Sequence, residues 1–345
     1  MSPVIYTIIL SSLATGTIIT MTSYHWLMAW VGLEINTLAI IPTISTMHHP
    51  RSTEAATKYF LTQAAASALI LFSSMINAWY TGSWDITQTM FYPSHITLTI
   101  ALAMKLGLAP LHFWLPEVIQ GSTLTTALII TTWQKLAPMS LIYMTMNNLS
   151  PTVFLLMGLL SSLIGGWGGL NQTQTRKIMA YSSIAHLGWM ATISSIMTNI
   201  LIMNLLVYLI MTTSMFFSLI ISKSKTIQNT TTTWTLSPTL TIIMMLSLLS
   251  LGGLPPLTGF MPKWLVMEEL ILQDFNLLAT LMAASSLLSL FFYLRLAYTT
   301  TLTLSPNTTK TKFKWRFFPN TPTTPSSIPA TISIFLLPLT PLILL

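Results

Sequence analysis

The chain has 345 residues, of which 52% are hydrophobic and only 6% are charged, and its formal net charge is +7. Soluble domains carry roughly 25% charged residues, so this composition excludes a water-facing globular protein. The chain contains no cysteine, which excludes disulfides, thiolate ligands for an iron–sulfur cluster and attachment of a c-type haem.

Apolar stretches of membrane-spanning length follow one another along the chain. About 20 apolar residues cross a hydrocarbon core roughly 30 Å thick, and runs such as 153–163 and 200–210 lack the alternation typical of barrel strands. The sequence therefore predicts an all-α polytopic membrane protein with about eleven transmembrane helices. The predicted spans are 3–21, 26–46, 56–79, 95–118, 123–145, 151–170, 176–197, 199–221, 238–266, 276–300 and 327–345.

Basic and acidic residues fall in alternate joints between these spans. With eleven spans, ten of the fourteen Lys and Arg residues lie on one side of the membrane, as expected when basic loops stay on the side of synthesis. The N-terminus is predicted on that side and the C-terminus opposite. Because the positive charge is spread over separate loops, no nucleic-acid partner is expected. The basic joints hold Arg51, Lys58, Arg176, Lys177, Lys223, Lys225, Lys310, Lys312, Lys314 and Arg316, and the acidic joints hold Asp85, Glu268, Glu269 and Asp274.

A short internal sequence repeat relates the two halves of the chain. Residues 107–117 match residues 253–263 without gaps, with Gly, Leu, Pro, Leu and Pro in register. The two segments lie five predicted helices apart, and an odd repeat length inverts the second copy in the membrane. We therefore predict a single domain of two inverted five-helix repeats plus one extra C-terminal helix. Its predicted parts are the first unit at 1–147, the second at 148–302, a polar loop at 303–326 and a last helix at 327–345, within one domain over 1–345.

Each repeated segment is predicted to be a broken helix. Proline removes a backbone donor and clashes with the preceding turn, so the freed carbonyl groups need partners inside the protein. Matching interrupted helices in two halves indicate a transport site. The alternative is that proline and glycine are simply frequent in membrane helices.

Several charged residues fall inside predicted spans. When the ten loop residues are subtracted from the fourteen Lys and Arg residues, four basic residues remain inside spans: Lys105, Lys135, Lys263 and Arg295. Glu34 is the acidic residue placed well inside a span. A charge at a helix centre costs ~2.5 to 3.5 kcal/mol on insertion scales, so its presence implies partners or internal water. Burial disfavours a charged lysine and a nearby carboxylate favours it. A changing Glu34 partner would therefore make Lys105 exchange a proton, and Lys263, which lies toward the acidic side, would pass a proton outward.

The remaining titratable candidates are two histidines. His112, in the first broken segment, and His186, in the seventh span, can bridge the lysines because imidazole titrates near neutrality; each can equally be a packed, hydrogen-bonded residue. Lys263 has its own alternative, since it can snorkel to the interface or pair with Glu268. Arg295 stays charged at any accessible pH, so we expect a structural role for it, and we predict no metal site.

Five motifs carry a resemblance to a known family. They are residues 28–34, 51–60, 104–117, 168–186 and 248–264, in that order along nearly the whole chain. By these motifs the chain resembles the short animal form of an antiporter-like membrane subunit of mitochondrial respiratory complex I, NADH:ubiquinone oxidoreductase.

The resemblance implies a function and a role for each residue. It implies two inverted five-helix repeats like those of cation/proton antiporters, with Glu34 and Lys105 as the titrating pair, Lys135 as central relay and Lys263 as exit lysine. It also implies a translocase in which electrons pass from NADH to ubiquinone while protons leave the matrix. No redox site is expected in this chain, which has no Gly-rich dinucleotide fingerprint after a strand.

The resemblance also implies the surroundings of the chain. No cofactor is expected on this chain itself; FMN, iron–sulfur clusters, NADH and ubiquinone are expected on other subunits. The expected partners are the other complex I subunits, especially the neighbouring antiporter-like subunit 4 and the small membrane subunit 4L, together with accessory subunits and membrane lipids, including cardiolipin. The expected location is the mitochondrial inner membrane, with the N-terminus and basic loops in the matrix and the C-terminus in the intermembrane space.

Three other functions stay open on the sequence alone. A free-standing antiporter exchanging protons for sodium or potassium would use the same repeats and lysines. A b-type cytochrome would need paired histidines on facing helices, for which His112 and His186 provide at most one pair. A structural spacer would carry the same charges as static groups.

Overall fold

The computed structural model describes residues 3–88, 91–302 and 324–341. Within these ranges the secondary structure consists of α-helices, short 3-10 helices and turns, with no β-strand. The predicted all-α membrane fold is therefore confirmed for this part of the chain. Six helices there are long and apolar enough to cross a bilayer: Pro3–Thr22, Trp26–Met47, Pro50–Thr81, Pro151–Gly169, Thr198–Ser222 and Asn276–Thr301. Shorter apolar helices accompany them.

The helices group into two compact units. The first comprises Met1–Ser161 with Met190–Thr198, and the second comprises Ser162–Trp189 with Asn199–Leu345. Whether the chain also divides into inverted repeats at residue 147 stays a prediction. In chain order, the helices up to the middle of the chain are α1 (Pro3–Thr22), α2 (Trp26–Ile44), α3 (Pro50–Thr81), α4 (Tyr92–Leu106), α5 (Trp114–Gly121), α6 (Leu124–Thr131), α7 (Trp133–Thr145), α8 (Pro151–Gly169) and α9 (Thr175–Ser194). The following helices are α10 (Thr198–Ser222), α11 (Ile227–Thr231), α12 (Thr233–Leu236), α13 (Pro238–Gly252), α14 (Phe260–Leu272), α15 (Asn276–Thr301) and α16 (Thr324–Phe335).

Small residues bring α1 and α2 together in the first unit. A Cβ added to Gly16 would lie 2.5 Å from Asn36 Oδ1, and one added to Gly32 would lie 2.9 Å from the Gly16 carbonyl oxygen. Membrane helices commonly use glycine to pack backbone against backbone in this way. Helix α2 also contacts α3 and α7, which brings polar residues of these three helices close to one another.

Helix α3 begins at Pro50, six residues before the predicted start at 56. The His49 side chain accepts from the Arg51 N–H at 3.3 Å, and the His49 N–H donates to Ser52 Oγ at 3.1 Å. This reciprocal cap, with proline at the first helical position, extends the helix beyond its apolar run. The loop position predicted for Arg51 and Lys58 was therefore wrong, because both lie in the first turns of α3.

Both predicted interruptions are present. Residues 107–113 separate α4 from α5, and residues 253–259 separate α13 from α14. The residue after each helix end is a glycine with positive φ, +80° at Gly107 and +77° at Gly253. Glycine adopts this left-handed conformation without the steric penalty that a Cβ brings.

The C-terminal part of the chain is described only in segments. Most of the predicted polar loop at 303–326, with Lys310, Lys312, Lys314 and Arg316, lies outside the described residues. The predicted last helix at 327–345 is shorter within the described range, since α16 ends at Phe335 and a 3-10 turn, Leu337–Leu339, follows. Pro338 has no backbone N–H to continue a helix.

Candidate functional site

The ends of α4 and α13 close with the same backbone turn. The Leu108 N–H donates to the Ala103 carbonyl at 2.9 Å, and the Leu254 N–H donates to the Leu249 carbonyl at 3.3 Å. This pattern around a left-handed glycine is a Schellman motif. It leaves the last two carbonyl groups of each helix without backbone donors, in a bilayer that supplies no water to pair with them.

Side chains from other helices satisfy these carbonyl groups in the first unit. Gln63 of α3 donates from Nε2 to the Lys105 carbonyl at 3.3 Å, and Lys135 of α7 donates from Nζ to the Leu106 carbonyl. A cation at the C-terminal end of a helix also interacts favourably with the helix dipole. The break thus holds Lys135, which is only 2% exposed, where the backbone offers negative partial charge.

The end of α13 is satisfied in the same way by different residues. Lys263 of α14 donates from Nζ to the Gly252 carbonyl at 2.8 Å, and His186 of α9 hydrogen-bonds to the Leu251 carbonyl. Lys263 also interacts electrostatically with His186. A Cβ added to Gly253 would lie 2.9 Å from Lys263 Nζ, so the glycine leaves space for the ammonium group as well as turning the chain.

Hydroxyl groups surround His186. Its Nε2 lies 3.4 Å from Tyr293 Oη, and its ring centroid lies 5.6 Å from that of Tyr208. Tyr293 is hydrogen-bonded to Ser182, and Tyr208 is hydrogen-bonded to Ser183. A buried cluster of imidazole and hydroxyl groups therefore adjoins the break of the second unit.

A small polar cavity lies beside the break of the first unit. Its volume is about 10 Å³, close to the room that a single water needs. Lys105 Nζ and both polar side-chain atoms of Asn36 are buried without a hydrogen-bond partner among the described residues. A water in the cavity would therefore find several polar partners. The lining residues are Leu33, Asn36, Thr37, Tyr59, Gln63, Lys105, Trp114, Ile130, Gln134, Lys135, Ala137 and Pro138.

Glu34 approaches this cavity from α2 but does not contact either lysine. Its Oε2 accepts from Thr37 Oγ1 at 3.1 Å, and its charge interacts with Lys105 and Tyr59. Among the described residues, the N···O separation of an ion pair is found between Lys58 and Glu117 and not between Glu34 and Lys105. The predicted Glu34–Lys105 pair is thus an electrostatic neighbour pair in this structure.

His112 and Arg295 make other contacts. His112 is 3% exposed in the segment between α4 and α5, with its ring 4.3 Å from that of Phe113. Arg295 donates to the carbonyl groups of Leu170 and, at 2.7 Å, Gln172, as expected of a structural residue. Within the described ranges, no cluster of three or more His, Asp or Glu side chains could hold a metal ion.

Several polar residues of the site were not predicted from the sequence. Gln63, Tyr59 and Gln134 meet near Lys135, where Tyr59 Oη donates to Gln134 Oε1 at 3.5 Å. Gln134 Nε2 donates in turn to the Asn36 carbonyl at 3.3 Å. Each is a polar side chain within an apolar run, and that signal could have identified them because such groups need partners inside the protein.

Comparisons with known proteins agree along the whole chain. Residues 23–289 match the family described as NADH:quinone oxidoreductase/Mrp antiporter, transmembrane, and residues 290–344 match the family described as NADH dehydrogenase subunit 2 C-terminus. The chain is 57% identical to NADH-ubiquinone oxidoreductase chain 2 of Varanus timorensis and 55% identical to that of Xenopus laevis, in each case over 344 residues and 100% of both chains.

A solved structure extends the similarity to the fold. A chain of respiratory complex I from Thermus thermophilus, with bound aureothin, superposes with a TM-score of 0.85 at 26% identity. The match covers 97% of the present chain and 78% of that chain. The helical arrangement described above is therefore similar to that of a subunit within a large membrane complex.

Proposed function

Because the chain belongs to the family of NADH-ubiquinone oxidoreductase chain 2, we propose that its buried lysines carry protons through the membrane part of respiratory complex I. The chain is a multi-pass subunit of an assembly that passes electrons from NADH to ubiquinone. It belongs to the antiporter-like subunits of that assembly, and its membrane is the mitochondrial inner membrane.

The observation that carries the proposal is the lysine held on a helix-end carbonyl at each break. A charged lysine has three N–H donors and a neutral one has two, so either form can donate to a carbonyl. Lys135 and Lys263 can therefore gain or lose a proton without leaving Leu106 or Gly252 unpaired. If each lysine were instead paired with a buried carboxylate, loss of its proton would leave that carboxylate as an uncompensated buried charge.

We assign a role to each titratable group within its own unit. In the first unit, Glu34 and Lys105 form the titrating pair, and Lys135, which lines the same cavity as Lys105, is the central relay. A single water in that cavity would connect the two amines. In the second unit, Lys263 is the exit residue, and His186 is its neighbouring relay. His112 is a further candidate relay at the first break.

The topology and surroundings follow from the same proposal. We propose eleven spans in two inverted repeats plus a C-terminal helix, with the N-terminus and basic loops in the matrix and the C-terminus in the intermembrane space. The redox groups, FMN and iron–sulfur clusters, would lie on other subunits. Antiporter-like subunit 4, subunit 4L and lipids such as cardiolipin would cover apolar surface such as Trp79, which is 88% exposed.

The central test replaces Lys135 with methionine at the aligned position of a bacterial complex I. Methionine keeps much of the length and packing of lysine but cannot carry a proton. We expect the complex to assemble and to oxidise NADH with an artificial acceptor, while the proton-to-electron ratio in proteoliposomes falls. The matched control is Lys225→Met, since Lys225 is exposed and should leave the ratio unchanged.

An unchanged ratio in an assembled Lys135→Met complex would contradict the proposal and favour a structural spacer with static charges. Relatives that are 55–57% identical over the full length are chain 2 of NADH-ubiquinone oxidoreductase. This family assignment argues against a free-standing antiporter and against a b-type cytochrome. A direct check is a native gel stained for NADH oxidation, in which this chain should be found in a large active band.

A further inference from the structure

The indole of Trp114 contacts both halves of the broken helix in the first unit. Trp114 begins α5, after the break, yet its Nε1 donates to the carbonyl of Met104, in the last turn of α4, at 3.3 Å. Lys135 Nζ lies over the indole ring, 5.5 Å from its centroid. One side chain thus touches the helix end and also the cation that satisfies the last carbonyl of that end.

Neighbouring residues fix the orientation of this indole. The ring of Tyr59 packs edge-on against it, with centroids 5.8 Å apart and an interplanar angle of 64°. A Cβ added to Gly107 would lie 3.2 Å from Trp114 Cζ2, so the left-handed glycine of the break also provides room for the ring. Trp114 itself is only 7% exposed, and its ring therefore cannot swing away into open space.

The attraction between the ring and Lys135 depends on charge. The negative face of an indole attracts a cation, and the attraction is stronger where water is excluded. A neutral amine in the same place loses that electrostatic attraction but keeps its donor for the Leu106 carbonyl. The ring therefore distinguishes the two protonation states of Lys135, whereas the carbonyl accepts from both.

We propose that Trp114 is a positioning residue for proton transfer through Lys135. Its N–H holds the last turn of α4, and its ring stabilises the protonated lysine at the break. The inference rests on the proposed proton-carrying role of Lys135. It adds a residue that sets how readily that lysine takes up a proton.

The test compares the pH dependence of proton pumping in assembled complexes that carry Trp114→Leu and Trp114→Phe. Without the ring, Lys135 is protonated less readily, so the alkaline limb of the pumping profile should move toward lower pH. We expect a shift of about one pH unit, a tenfold change in proton affinity, for the leucine variant. Phenylalanine keeps a weaker aromatic face and should give a smaller shift. The control, Trp167→Leu, changes a tryptophan that is 74% exposed and should leave the profile in place.

Fluorinated tryptophan at position 114 keeps the shape of the ring, so we expect the complex to assemble even if the leucine variant does not. Each added fluorine weakens the negative face while the N–H and the shape are kept, so the shift should grow with the number of fluorines. If the alkaline limb does not move through this series while Lys135→Met still lowers the proton-to-electron ratio, only the role of Trp114 is contradicted. A normal ratio in Lys135→Met would overturn the proposed function and this inference together.

Discussion

At both helix breaks the last two carbonyl groups lack backbone donors, and different side chains donate to them. At the end of α4 the last carbonyl groups accept from Gln63 and Lys135, which lie on two other helices. At the end of α13 they accept from His186 and from Lys263, which comes from the second half of the same broken helix. The buried ammonium is on the final carbonyl in both. Its position therefore follows the helix end and not the place of the lysine in the sequence.

The difference lies in the second donor at each break. The Gln63 amide cannot titrate, whereas the His186 imidazole can. The second break thus has two titratable groups in electrostatic contact, while the first has Lys135 and, across a small cavity, Lys105. Variants that alter only one of these features can separate what each break needs for proton transfer from what it needs for folding.

The largest expected effect comes from Gly253→Ala compared with Gly107→Ala. An alanine at positive φ costs ~1–2 kcal/mol, about tenfold in an equilibrium constant, and this strain is common to both variants. The new Cβ meets Lys263 Nζ at 2.9 Å in one variant and the Trp114 ring at 3.2 Å in the other. Proton pumping per electron should therefore fall further in Gly253→Ala, where the lysine itself is displaced.

Gly82 provides the control for backbone strain. Its φ is +72° at the end of α3, and a Cβ there would meet no atom within 4 Å. Gly82→Ala should therefore lower thermal stability without lowering the pumping ratio. Equal ratios in Gly253→Ala and Gly82→Ala would show that the space beside Lys263 has no bearing on proton transfer.

Much of the fold was predictable because the bilayer restricts the solutions. The apolar runs predicted spans at 3–21 and 276–300, and the helices found are Pro3–Thr22 and Asn276–Thr301. The repeated Gly-Leu-x-Pro-Leu pattern predicted both breaks. The start of α3 was missed because a polar cap at His49 and Pro50 extends the helix beyond its apolar part, and hydropathy does not register such caps.

The site was predictable in its charges but not in its contacts. Lys135 and Lys263 were identified because a buried charge is costly. Their carbonyl partners depend on how α4 and α13 end and on which helices pack there, so spacing along the sequence could not identify them. The pairing of Glu34 with Lys105, by contrast, was predicted from charge and from the family resemblance, and the structure adds no ion-pair contact between them.

A smaller effect is expected when His186 is changed, and the substituent decides its nature. His186→Gln keeps an N–H donor for the Leu251 carbonyl but cannot titrate, so it makes the second break resemble the first. His186→Leu also leaves the carbonyl unsatisfied, at a cost of ~1–3 kcal/mol. If His186 relays protons, both variants should slow pumping several-fold, and only the leucine variant should also lower thermal stability.

The control for this comparison lies at the other break. Gln63→Leu removes the donor to the Lys105 carbonyl without removing a titratable group, so it should lower stability as His186→Leu does and slow pumping less. Normal pumping in His186→Gln would assign the histidine to the helix end alone. The two breaks would then differ in composition and not in function.

The smallest expected effect belongs to the ion pair between Lys58 of α3 and Glu117 of α5. Lys58 Nζ lies 2.5 Å from Glu117 Oε2, and the two side chains are 50% and 52% exposed. Exposed ion pairs contribute little because solvent screens them and because two long side chains must be ordered. Glu117→Gln should therefore change the pumping rate less than about twofold. The reversed pair, Lys58→Glu with Glu117→Lys, should restore any loss. A large loss of pumping that the reversed pair does not repair would show that Glu117 takes part in proton transfer at the first break. Lys263 is the residue of the second break that aligns with Glu117 in the internal repeat.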